Sequence, residues 1–329
     1  MARVVRTFLQ ADDLRYFVAE KFGSERRLTT LQRLTGGTKK GVYRLGLDDG
    51  TTVIGYVWAE TENYWPPAAT VPDDPFTDAT GADLFAVNHA ALTAAGVRVP
   101  ELILLDRSRQ HLDADVALVE DAGETKLEDL LDSDHPPLAE LGDALRRMHT
   151  TESPHYGKLA AKATEPAIQT RRTEDIIRDR ALADLDAAAE RDPRLARARD
   201  QIVTHVDRLW AAIKPRQTYA LVHGELGPDH VLVTKDNEPV MIDFEGLAYF
   251  DIEWDHAWLE MRFGEQHYQR LNPVECDQDR LEFYRYAQVL SLIEGPLRIA
   301  TTDFPDRQWM LDLAEWNIAK AFAAVGARV

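Results

Sequence analysis

The sequence predicts an α+β protein in two parts, a β-rich N-terminal part over residues 1–121 and a mainly helical C-terminal part over 122–329. Three observations carry that prediction. VYRLGL and TTVIGYVW are alternating segments on either side of DDG, the pattern of a strand hairpin closed by an Asp-Gly turn. Beyond about residue 122 apolar residues recur at helical spacing through most of the chain. Between the two regimes, DAGETK (121–126) is small and polar, as where a strand hands over to a helix.

The elements follow in order. ADDLRYFVAEKFG (11–23) is a short amphipathic helix ending at a glycine. RLTTLQRL (27–34) is a strand that leads through TGGTKKG into the hairpin. ENYWPPAATVPDDPFTD (62–78) is a loop, since its four prolines leave no regular element intact. ADLFAVNHAALTAAG is a helix closed by Gly96. VRVPELILLD and DVALVED add two strands, giving a mixed antiparallel sheet with one intervening helix. LEDLL, PLAELGDALRRMHT and a long Ala/Arg/Asp-rich region (about 159–213) are helical. A small strand pair in LVHGELGPDHVLV (221–233) interrupts them, followed by PVMIDFEG. Helices resume at DIEWDHAWLEMRFG and run to the C-terminus.

A chain of 329 residues suggests one large or two medium domains with ample core. The net charge of −18 argues against nucleic acid or an anionic membrane as main partner. It is compatible with a cationic small molecule, although an acidic surface more often serves solubility alone. The single cysteine, Cys276, excludes an intramolecular disulfide, and no apolar run resembles a signal peptide or a membrane span, so a cytoplasmic protein is expected.

LVHGELGPDHVLV crowds His, Gly, Glu, Pro, Asp and His between two apolar runs, and PVMIDFEG repeats the arrangement in miniature. Two strands each delivering a carboxylate to one end of a small sheet would make a metal or phosphate site. His223, Gly224, Glu225 and His230, then Ile242, Asp243, Phe244 and Glu245, then Asp251 and Asp255, resemble in order and spacing the catalytic region of the aminoglycoside phosphotransferase family of kinase-like small-molecule phosphotransferases. LGDALRRMH, ending in His149, resembles a helix of the same family.

The resemblance implies a bilobal, protein-kinase-like fold with a nucleotide-binding lobe (1–121) and a catalytic, substrate-binding lobe (122–329). It implies ATP- or GTP-dependent, Mg²⁺-assisted phosphorylation of a hydroxyl on a small molecule, with cationic antibiotics such as aminoglycosides the best-known class. Asp243 would supply hard oxygen to the metal. Glu225 would accept the proton of the incoming hydroxyl and orient it. His230 stands where the family has an amide metal ligand. Gly36, Gly37, Thr38, Lys39, Lys40 and Gly41 would lie over the phosphates, and the backbone of Val119, Glu120 and Asp121 would meet the adenine ring. Glu253 is a candidate substrate contact, and Glu245 and Asp251 are either substrate contacts or loop braces. His223 and Asp255 would brace the loop.

This sequence departs from the family's pattern in four places. Glu225 replaces an aspartate and is one methylene longer; the GPDH turn after it, with Gly227 and Pro228, would allow a shifted loop. His230 replaces an asparagine and suits a phosphate better than Mg²⁺. The strand position expected to hold a phosphate-binding lysine or arginine is Tyr56, and no lysine or arginine lies between Arg44 and Arg98. The helix expected to supply its glutamate partner has Ala86 or Asn88. Lys39 and Lys40 are the basic residues placed to replace the lost cation, unless they are solvated loop lysines. The departures also admit a catalytically impaired nucleotide-binding protein.

Overall fold

The computed structural model describes residues 6–66, 71, 73–159 and 171–327. Residues 160–170 of the helical region expected at 159–213, and residues 67–70 and 72 of the loop expected at 62–78, therefore lie outside the described residues. Two compact units emerge, one drawn from Met1–Trp65, Ala79–Pro137 and Asp229–Glu245, the other from Pro66–Asp78, Leu138–Pro228 and Gly246–Val329.

In the first unit, helix α1 (Ala11–Phe22) is closed at Gly23, as its sequence predicts, and buries Leu14, Phe17 and Val18. Strands β1 (Leu28–Arg33), β2 (Gly41–Leu47) and β3 (Thr52–Trp58) form the expected meander. Helix α2 (Ala82–Ala94) and strands β4 (Leu102–Asp106) and β5 (Asp115–Glu120) complete a five-stranded sheet in the order β1-β2-β3-β5-β4. Every pairing in it is antiparallel. The alternation of β2 sends Tyr43, Leu45 and Leu47 inward, against Leu14, Phe17 and Val18 of α1 and Val116 and Leu118 of β5. LEDLL forms only a short 3₁₀ turn (Leu127–Leu130), because five residues are too few to sustain an α-helix.

The second unit carries α3 (Leu138–His149), the short strands β6 (Glu152–Ser153) and β7 (Gly157–Lys158), α4 (Thr173–Ala189) and α5 (Pro193–Ala212). Strand β8 (Tyr219–Val222) follows. The first unit then takes a hairpin, β9 (Val231–Val233) with β10 (Pro239–Met241). Strand β11 (Ala248–Phe250) and helices α6 (Ile252–Arg270), α7 (Gln278–Ile299) and α8 (Arg307–Val325) return to the second unit. Its core runs from Ile177, Leu195 and Ile202 to Phe250, Trp254, Tyr284, Leu290 and Phe322.

The expectation that both acidic loops leave one small sheet is overturned. Strand β8 lies between β6 and β11 in a four-stranded sheet of order β6-β8-β11-β7, whereas β9 turns back on β10 in a separate two-stranded sheet and bridges Lys126 through Leu232. Short apolar runs announce strands without naming their partners. Here the turn at residues 234–238, closed by the Thr234 N–H bond to the Glu238 carbonyl at 3.0 Å, pairs β9 with its immediate successor.

Candidate active site

In the second unit β8 ends at Val222 and leads into His223, Gly224 and Glu225. Asp255, wholly buried on α6, accepts the backbone N–H groups of His223 and Gly224, both at 2.8 Å, and lies 3.0 Å from His149 Nε2. Burial alone would raise the Asp255 pKa, but the bond to His149, the charges of His149 and His223 and the Gly224 N–H outweigh it and hold it below the usual range. Trp254 Nε1 donates to the Gly224 carbonyl at 2.8 Å. Gly224 has φ +96°, and a Cβ there would lie 2.7 Å from the Gly246 carbonyl oxygen, so only glycine fits. Within a run otherwise buried from Leu221 to Pro228, Glu225 alone is exposed. Its charge reaches Arg180 of α4. Burial lowers the Arg180 pKa, but Asp74, Asp184 and Glu225 raise it by more.

Asp251 and Glu253 lie in the same unit but are enclosed. Asp251 meets Arg280 at 2.5 Å, Thr173 Oγ1 at 2.7 Å and the Tyr284 hydroxyl. Glu253 takes a two-pronged bond from Arg216, at 2.6 and 2.8 Å, and the Asp277 N–H at 3.1 Å. Asp251 Oδ2 and both oxygens of Glu253 brace the start of α6.

In the first unit the β9–β10 hairpin presents His230 and Asp243. Asp243 adopts φ +59°, a strained conformation for a residue other than glycine, and its side chain is 51% exposed. His230 Nε2 lies 3.7 Å from Asp243 Oδ2 and 3.6 Å from Asp229 Oδ2. Next to them Glu245 is buried, and its Oε1 lies 2.5 Å from Lys40 Nζ, which also sits 2.6 Å from Asp243 Oδ1. Asn88 of α2, fully buried, donates to the carbonyls of Phe244 at 2.9 Å and Glu245 at 3.2 Å.

Gly36 to Lys40 lie in the turn between β1 and β2, and Gly41 opens β2. A Cβ on Gly37 would meet the Lys40 carbonyl at 2.9 Å, and one on Gly41 would meet the Glu62 carboxyl at 2.6 Å. Glu62, almost fully buried, is held by Arg33 at 2.6 Å and by the Tyr43 hydroxyl. Thr38 anchors the start of the following loop, accepting Tyr64 N–H at 2.8 Å and Trp65 Nε1 at 2.9 Å. Lys39 Nζ sits 5.7 Å from the centre of the Trp65 ring. In the connector Val119 is buried, Glu120 binds Arg98 at 2.5 Å and Asp121 binds Arg44 at 2.7 Å.

The sequence alone did not single out Asn88 as a loop brace, Trp254 or Arg180. A Trp-Asp pair opening α6 was the available signal for Trp254; Arg180, one of many arginines in an Arg/Asp-rich helix, left none.

An antiparallel five-stranded sheet with its helix, then a mainly helical part bearing the HGE loop, defines a protein-kinase-like fold. The family model described as the phosphotransferase enzyme family matches residues 30–289, and the chain belongs to that family, as a small-molecule kinase. Among solved structures it is similar to spectinomycin phosphotransferase APH(9)-Ia in complex with ADP and spectinomycin, with TM-score 0.66 and 14% identity, over 97% of this chain and 99% of that one. It is also similar to a thermostable mutant of aminoglycoside phosphotransferase APH(4)-Ia in apo form, with TM-score 0.63 and 16% identity, over 94% and 98%. The GDP and kanamycin complex of APH(2")-IIia matches with TM-score 0.61 and 18% identity, over 93% and 99%. No curated protein matches the chain. Among the described residues no helix is long and apolar enough to cross a membrane.

Proposed function

We propose that the chain transfers the γ-phosphoryl group of ATP or GTP to a hydroxyl of a small molecule, a cationic antibiotic such as an aminoglycoside being the leading candidate. The observation that carries this reading is Glu225, the one exposed residue in a loop otherwise buried and fixed by Asp255 and Trp254. An acid held this way is ready to receive a proton and to orient the group that gives it up. In the transfer the acceptor oxygen bonds to the γ-phosphorus as the bond to the bridging oxygen breaks. The hydroxyl proton passes to Glu225, and the nucleoside diphosphate leaves.

Asp243 fits Mg²⁺, because it offers a half-exposed hard oxygen donor, and Mg²⁺ takes most of its other ligands from phosphates and water. Bound there, Mg²⁺ would neutralise phosphate charge. His230 suits hydrogen bonding to a phosphate oxygen better than ligation of Mg²⁺. The chain's net charge of −18 is compatible with a cationic acceptor. The neighbouring structures with spectinomycin and kanamycin point to the same acceptor class.

The test is nucleoside triphosphate turnover, with and without Mg²⁺, over a panel of hydroxylated antibiotics and metabolites, repeated with Glu225→Gln. That variant keeps shape and removes the proton acceptor, so turnover should fall by roughly 100-fold or more while nucleotide affinity holds. Turnover unchanged in Glu225→Gln, or absent from the parent chain with every acceptor, would overturn the reading.

A further inference from the structure

We infer that Lys40 and Glu245 form the phosphate-facing lysine–carboxylate pair of this chain, Lys40 as the nucleotide contact and Glu245 as the residue that positions it. The inference rests on the nucleotide-dependent reading above and assigns its cationic contact to one residue.

Four observations, all within the first unit, converge. Lys40 is the residue before β2, and its side chain is buried although it belongs to a glycine-rich turn. Its ammonium sits between Glu245 at 2.5 Å and Asp243 at 2.6 Å. A solvated loop lysine would have no reason to pay the desolvation cost of such a place. Second, that ammonium lies 5.3 Å from the centre of the Tyr56 ring. Tyr56 on β3 is paired in register with Val42, two residues beyond Lys40. The turn thus delivers its charge against the side chain that replaces the strand lysine. A lysine at position 56 would set a second ammonium against the first.

Third, Asn88 donates to the carbonyls of Phe244 and Glu245. A glutamate at 88 would face those two acceptors with a third. Asparagine fits, and it fixes the backbone of the residue that supplies the carboxylate. Tyr56, Asn88, Lys40 and Glu245 are therefore one mutually consistent set, with the pair moved from strand and helix to turn and loop. Fourth, Lys39 lies by Trp65 and is bound to neither acid. One ammonium against two carboxylates also leaves Lys40 a partner when Asp243 turns to a metal, because Glu245 remains.

Calorimetric titration of Mg-ATP and of adenosine into the full chain tests this. Lys40→Met should weaken Mg-ATP by about 10- to 100-fold, the worth of a charge-assisted bond, and leave adenosine within about twofold. Lys39→Met should change neither. Glu245→Gln should weaken Mg-ATP selectively, and adding it to Lys40→Met should cost much less than the sum of the two, as for residues acting through one another. If Lys40→Met does not fold, judged by its thermal unfolding, Lys40→Gln carries the same comparison. Equal loss of Mg-ATP and adenosine, no loss, strict additivity, or an ATP-selective loss in Lys39→Met would each overturn the inference. Those results would leave the kinase reading intact if the parent chain binds Mg-ATP or Mg-GTP, the titrations being run with whichever it binds; a parent chain that binds neither overturns both.

Discussion

Removing the Asp255 carboxylate should loosen the Glu225 loop and destabilise the second unit together. Asp255 is wholly buried and meets three donors: the N–H groups of His223 and Gly224, both at 2.8 Å, and His149 Nε2 at 3.0 Å. In Asp255→Ala two buried N–H groups and an imidazole lose a charged acceptor, and water does not readily replace it. Breaking one side of a buried charged network of this kind costs about 3–5 kcal/mol. For a cooperative unit of this size that lowers Tm by roughly 10 °C. Asp255→Asn keeps one acceptor oxygen but turns an NH₂ towards an N–H donor, so it should lose less, about 1–3 kcal/mol. The order parent > Asn > Ala should appear in urea and thermal unfolding. Phosphotransfer should fall in the same order, because the loop that holds Glu225 has lost its anchor. The depressed Asp255 pKa adds a pH signature. A carboxylate with a lowered folded pKa contributes fully above its unfolded value and loses that contribution as pH falls through the folded one. The parent's advantage over Asp255→Asn should therefore hold at neutral pH and shrink below about pH 3.8. A Tm for Asp255→Ala within 2 °C of the parent, as a rough bound, would refute the argument.

Two further outcomes can be measured on the same unit. His256 is buried, with Nδ1 2.8 Å from the Tyr268 hydroxyl, and burial, together with the charge of His149, pushes its pKa down to about 4. The unfolded chain takes up that proton first, so stability should be full above about pH 6.5 and fall by an amount on the order of 3 kcal/mol towards pH 4; urea unfolding should show that slope flattened in His256→Phe, and an unchanged slope would remove the assignment. Gly224→Ala should cost about 2–4 kcal/mol, since its Cβ would sit 2.7 Å from the Gly246 carbonyl and 3.2 Å from the Phe76 ring at φ +96°; a denaturation midpoint equal to the parent's would contradict it.

Much of the fold was legible because local chemistry decided it. The Asp-Gly turn, the glycine after α1 and the alternation of β2 each act within a few residues, and each appears where the sequence put it. Partnership between distant short strands is another matter. LVHGE and PVMID both read as strands ending in acid, but strand pairing depends on what β6, β11 and the hairpin turn offer, and period-two patterning carries no such information. The site divides the same way. Its candidate residues could be named because the order and spacing of His223, Glu225 and Asp243 resemble those of a known family. The roles of buried polar groups could not. Nothing in the spacing distinguishes Glu245, which meets a lysine from a turn 205 positions earlier, from Glu253, which meets Arg216. Nor does it separate Lys39 from Lys40, adjacent residues with the same side chain and opposite surroundings.

The pinned backbone also bears on the glutamate at position 225. A longer side chain can be absorbed by moving the main chain or by moving the reacting partner, and the sequence, with Gly227 and Pro228 close behind, leaves the first route open. Its first half is closed by the bonds already described. The N–H groups of His223 and Gly224 are both held by Asp255, the Gly224 carbonyl is held by Trp254, and the Gly224 Cα has a carbonyl oxygen and a ring packed against it. A slide of the backbone by the length of a methylene would break these bonds together, at a cost of several kcal/mol. Leu226, Gly227 and Pro228 on the other side are buried as well. With the main chain pinned at this place, the extra methylene extends the reach of the Glu225 side chain, and on the proposed function the acceptor hydroxyl is met further from the loop than an aspartate on the same backbone would meet it. Glutamate in this setting is then a determinant of where the substrate sits, acting alongside the chemistry of the proton it receives.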